Sequence, residues 1–84
     1  MVTSRAVALE AARSMLGVSL DDLWVDYLGL GGHLMPWHVE AFLSGSRVVD
    51  DRDHDLIVQA LNERFLDLDA DHPLAYADEL APAD

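Results

Sequence analysis

The sequence predicts an all-α chain, a compact three- or four-helix domain with an irregular C-terminal tail. Apolar residues recur at helical spacing in four separate segments. Turn formers divide those segments at Gly17, Gly31-Gly32 and Ser44-Gly45. No stretch alternates as a strand would, and Val48-Val49 is too short to be one. With 84 residues there is room for a single domain, read as residues 1–80 with 81–84 as a frayed end. A chain this short buries only roughly 60–65% of its unfolded surface. Its stability should therefore rest on Trp24, Tyr27, Trp37, Phe42 and Phe65 among fourteen leucines.

The first helix is expected from about Ser4 to Leu16, capped by Thr3 or Ser4 and closed by Gly17. Val7, Ala8, Ala11, Ala12, Met15 and Leu16 supply its apolar stripe. The second begins after Ser19, where Asp22 three residues on resembles a capping box. Leu20, Leu23, Trp24, Tyr27 and Leu28 then form an amphipathic face, and Gly31-Gly32 ends the helix. Its early aspartates also favour the helix dipole. The third starts at Pro36, a residue suited to a first helical turn. It runs to Leu43 with Val39, Phe42 and Leu43 inward and Trp37 covering an edge. The fourth covers about Asp53 to Leu68, with Asp50, Asp51 and Asp53 competing for its cap. Leu56, Ile57, Ala60, Leu61, Phe65 and Leu68 form its stripe; Gln59, Asn62, Glu63 and Arg64 line the opposite side. The expected core is Leu23, Trp24, Tyr27, Leu28, Phe42, Ile57, Leu61 and Phe65. Beyond Asp67 the residues are loop formers, from which Leu74 and Tyr76 can fold back.

Sixteen acids stand against five arginines and no lysine, a net charge of −11. Such a surface repels phosphate, which argues against nucleic acid and against anionic membranes. It suits a basic protein partner or cations. Cysteine is absent, so neither disulfides nor thiolate metal sites are expected. The N-terminus lacks a basic-then-apolar signal pattern, and no apolar run approaches the ~20 residues of a membrane span. A cytoplasmic location is expected. The composition, rich in Ala, Leu, Asp and Arg, suits a GC-rich bacterial genome.

Two short helices around Gly31-Gly32-His33-Leu34-Met35 suggest a helix-turn-helix. A DNA reader needs basic or amide side chains on its second helix. This one offers Trp37, His38 and Glu40, so an αα corner is the better reading. Two Asp-x-Asp-x-Asp runs invite a cation reading, and the second is the stronger. Asp67, Asp69, Asp71 and Asp78 fall at ligand positions of a twelve-residue calcium loop, with Leu74 at its apolar position. The sixth position is His72 followed by Pro73, where the loop's sharp turn requires glycine. His33, His38, His54 and His72 lie in no recognised ligand spacing and read as surface or loop histidines. No serine sits in a nucleophile elbow, and the glycines of 29–32 follow a helix where a phosphate loop follows a strand. No cofactor and no catalytic activity are expected.

Leu16-Gly17-Val18 followed by Leu30-Gly31-Gly32-His33 resembles the start of acyl and peptidyl carrier domains, which are also small, acidic and helical. That family carries its phosphopantetheine arm on a serine directly after Gly-Gly-His. Here the position is Leu34, so the resemblance implies the fold without the attachment chemistry. A second set of residues is similar to short, uncharacterised actinobacterial proteins: Leu23-Trp24, Leu30-Gly31-Gly32, Ala60-Leu61-Asn62-Glu63-Arg64-Phe65 and Asp71-His72-Pro73. It implies no site residues.

The functional expectation is a non-catalytic, regulatory protein-interaction module. Its contact surface is placed at His33, Leu34, Met35 and Trp37, beside a flexible double glycine and flanked by Asp26 and Glu40. The partner expected there is a protein with a basic rim around an apolar pocket. The rival is a small-ligand or cation binder using the 67–78 loop.

Overall fold

A computed structural model describes residues 4–68 and residue 74. It contains four helices: α1 (Ser4–Leu16), α2 (Leu20–Gly29), α3 (Pro36–Leu43) and α4 (Asp51–Asp67). There is no strand among the described residues, and the expected all-α class is the one observed. Thr3, Tyr76, the residues beyond it and the tail at 81–84 lie outside the described residues.

Each helix is started and stopped by local chemistry. The Ser19 hydroxyl accepts the Asp22 N–H at 3.1 Å, which starts α2. The Asp50 carboxylate accepts the Asp53 N–H at 2.8 Å. Asp50 therefore wins the competition for the cap, and α4 begins at Asp51, earlier than the expected Asp53. That N–H holds the Asp50 carboxyl below the usual aspartate range. Gly17 and Gly45, at φ +68° and +86°, take the left-handed conformation that ends α1 and α3.

The helices close into a ring. Both α1 and α2 pack on α4 and on α3, with no close backbone approach between α1 and α2 or between α3 and α4. The core gathers Leu9, Val18, Leu23, Tyr27, Val39, Phe42, Leu43, Ile57, Leu61 and Phe65. Leu28 and Leu68 depart from the expectation: both are exposed. The buried line of α2 runs through Leu23 and Tyr27, leaving Leu28 at its edge, and Leu68 falls just past the end of α4. Trp24 is half-buried rather than fully enclosed.

Two helices present faces other than those expected. In α1 the buried positions are Ala6, Leu9 and Ala12, with Leu16 packed against them. Val7, Ala8, Ala11 and Met15, expected inside, are exposed. The sequence of α1 carries two apolar stripes, and the packing of α3 and α4 covers the one through Ala6, Leu9 and Ala12. In α4, His54 and Asn62 are buried, against the expected surface positions. His54 stands on one line with Val58, Leu61 and Phe65, at the i, i+4, i+7, i+11 spacing of a single helix face. Its Nδ1 lies 3.0 Å from Asp55 Oδ1. The Asn62 amide donates to the Leu74 carbonyl at 3.0 Å and accepts the Leu74 N–H at 3.2 Å. One side chain thus satisfies both backbone groups of Leu74, whose own side chain packs on the core.

Candidate functional site

The α2–α3 turn is built from two glycines for two different reasons. Gly31 adopts φ +102°, a conformation that side chains disfavour. Gly32 lies flat against the Tyr27 ring, where a Cβ would overlap the ring carbons. The fully buried Tyr27 can therefore reach past the chain to its polar groups.

The Tyr27 hydroxyl donates to Asp53 Oδ1 at 2.6 Å. It accepts the N–H groups of His33 and Leu34, each at 3.0 Å. One donor and two acceptor positions are all used. Burial pushes the phenol above its ordinary pKa, and the bond to Asp53 adds to the shift; the two N–H groups oppose it. Trp24 Nε1 donates to the Leu34 carbonyl at 2.9 Å. Arg52 Nη2 donates to the Gly31 carbonyl at 2.9 Å. Side chains of α2 and α4 thus hold the turn by bonds to Gly31, His33 and Leu34. The expected flexible double glycine is replaced by a fixed one, because glycine here admits a ring and a left-handed bend.

The fixed turn delivers the chain to α3. The Met35 N–H donates to His38 Nδ1 at 3.3 Å, and Pro36 opens the helix. The Trp37 ring lies against the His38 ring, with centroids 3.6 Å apart and planes at 32°. Trp37 is 59% exposed and Met35 51% exposed. His33 and Glu40 are also exposed. Leu34 is half-buried and packs against the core, so its side chain seals the bundle beneath the turn. Asp26 is occupied: Arg64 Nε donates to its Oδ2 at 2.7 Å, bracing α2 to α4. That bond raises the Arg64 pKa. Of the six residues expected at the contact surface, His33, Met35, Trp37 and Glu40 are thus exposed, Leu34 is turned to the core and Asp26 is paired with Arg64.

Tyr27 and Asp53 resemble an acid–base pair, but every hydrogen-bonding position of the hydroxyl is taken by the protein. The pair is a brace between α2, the turn and α4. Sequence reading missed it; the available signal was a tyrosine four and five residues before paired glycines. Of the cation-loop residues, Asp67 ends α4 and is exposed, whereas Asp69, Asp71 and Asp78 lie outside the described residues. Among the described residues no three histidine or acidic groups converge on one point. No described helix is long and apolar enough to cross a membrane.

Comparison with family models, with curated proteins and with solved structures finds no match.

Proposed function

We propose that this chain is a non-catalytic protein-interaction module, of a regulatory kind, working in a bacterial cytoplasm. The observation that carries the reading is Trp37, 59% exposed in the first turn of α3 and two residues after the exposed Met35, on a helix entered from a turn that side chains of α2 and α4 hold in place. An exposed tryptophan loses little conformational freedom when a partner covers it, and a fixed base lowers the ordering cost further. The surrounding charge selects the partner. With sixteen acids and five arginines, the chain favours an apolar pocket with a basic rim. The same charge disfavours nucleic acid.

The test is capture from the lysate of the source organism with the wild-type chain and with Trp37→Ala. The proposal expects a specific protein retained by the wild type, released by salt and absent from the variant. Equal retention by both, with equal salt sensitivity, would place the interface elsewhere.

A further inference from the structure

His38 ties the exposed start of α3 to the backbone. Its Nδ1 accepts the Met35 N–H at 3.3 Å, and its ring lies on the Trp37 ring with centroids 3.6 Å apart. A backbone N–H fixes the state of its acceptor. Nδ1 must present a lone pair, so neutral His38 carries its proton on Nε2. A second proton can enter only at Nδ1, where it displaces the Met35 N–H. Charge on the ring and the bond to Met35 are therefore mutually exclusive.

The surroundings offer a charged His38 no replacement. The N-cap of α3 is Met35, a residue without a capping oxygen, and the first turn holds no acid. The partial positive charge of a helix N-terminus opposes an imidazolium there. α3 packs on α1 and α2. Their titratable groups are Arg5, Glu10 and Arg13 on α1, and Asp21, Asp22, Asp26 and Tyr27 on α2. Arg5 pairs with Asp51, Glu10 with Arg13, Asp26 with Arg64, and Tyr27 bonds to Asp53. Asp21 and Asp22 sit in the first turn of α2. Among the described residues no carboxylate is ion-paired to His38. Glu40 lies two residues along α3, a spacing that does not set side chains face to face. His33, in the turn, is exposed. His54 shows the contrast: it is buried with Asp55 Oδ1 3.0 Å from its Nδ1, a carboxylate in place to receive charge.

We infer that His38 is a proton-sensitive latch on the Trp37 contact: neutral, it fixes Met35 and Trp37 at the entry to α3; protonated, it releases them. The release is local, because the turn before it keeps its bonds from Tyr27, Trp24 and Arg52. A cation–π contact with the Trp37 face favours the imidazolium, but it does not restore the bond to Met35. The consequence for binding rests on the reading of Trp37 as an anchor. An imidazolium stacked on that anchor repels a basic rim, and a released anchor must be ordered again when it binds. The partner is held near neutral pH and let go in acid.

NMR of the ring nitrogens and backbone amides of the full chain tests the latch between about pH 8 and about pH 5, where histidine changes charge. Neutral His38 should show its proton on Nε2. Protection of the Met35 amide, corrected for intrinsic exchange, should fall about 5-fold with the same midpoint as the His38 ring, the loss of one hydrogen bond. His38→Asn keeps an acceptor in place of Nδ1 without the charge, and its Met35 protection should not respond to pH. His38→Phe keeps a ring on Trp37 without the acceptor, and its protection should be low throughout. A neutral His38 protonated on Nδ1, or Met35 protection that ignores the His38 titration, would overturn the inference. So would a response that survives in His38→Asn or that His33→Asn abolishes. Capture from lysate at about pH 7.5 and about pH 5.5 reads the consequence. The wild type should lose its partner in acid and His38→Asn should keep it; loss by both would overturn the coupling to binding. Capture that Trp37→Ala leaves intact would refute the anchor alone, since the Met35 amide judges the latch without a partner.

Discussion

Replacing Tyr27 with phenylalanine keeps the ring against Gly32 and removes only the oxygen. Three hydrogen bonds go with it: the donation to Asp53 and the acceptance of two turn N–H groups. A neutral bond contributes about 1 kcal/mol net, and one to a carboxylate about 2 kcal/mol. The sum is about 4 kcal/mol, reduced to about 3 kcal/mol by water reaching the partly exposed turn. Domains of this size have roughly 4–12 kcal/mol in total. The loss should therefore lower the melting temperature by well over about 10 °C. Urea denaturation followed by circular dichroism gives the free energy, and a cycle with Asp53→Asn isolates the pair. The pH dependence supplies a second readout. The folded-state phenol pKa is raised, so this contribution is complete below the unfolded value near ~10 and is lost as pH climbs through the folded value. The gap between wild type and Tyr27→Phe should narrow in alkali. A loss under about 1 kcal/mol, with no narrowing, would mean that water replaces the hydroxyl and that the turn is not held by it.

Gly32→Ala should cost about 3 kcal/mol, because its Cβ overlaps the rigid Tyr27 ring. Gly31→Ala, strained only by its positive φ, should cost about 1–2 kcal/mol, and chemical denaturation ranks the two. Asn62→Ala removes both bonds to Leu74 and should cost about 2 kcal/mol; hydrogen exchange should show the Leu74 amide deprotected. The lowered Asp50 pKa means that its cap stabilises the fold above the usual aspartate range and stops doing so as pH falls through the folded value. Asp50→Ala should therefore flatten the acid limb of a stability-against-pH curve, and an unaltered limb would contradict that role.

Element boundaries were legible where a single residue decides them: Ser19, Pro36 and the glycines at 17 and 45 did so. The faces of α1 and α4 were less legible. α1 carries two apolar stripes, and only the packing of α3 and α4 selects the one through Ala6, Leu9 and Ala12. α4 packs on both α1 and α2, so its buried arc is wider than one stripe and takes in His54 and Asn62. The turn at 31–35 misled for a different reason. Two glycines suggest mobility, yet the residues that fix them, Tyr27, Trp24 and Arg52, lie on other elements. Trp37, expected to cover an edge and to share in the stability of the domain, is instead 59% exposed, because the buried line of α3 runs through Val39, Phe42 and Leu43.

The most direct test measures Trp37→Ala twice, for stability and for affinity toward the captured partner. More than half of the Trp37 surface is already in water, so the variant should melt within a few degrees of wild type. Its Kd should weaken by about 30-fold or more, the equivalent of ~2 kcal/mol for an anchoring aromatic. A collapse of the melting temperature would make Trp37 part of the core, and an unchanged Kd would remove the turn from the interface.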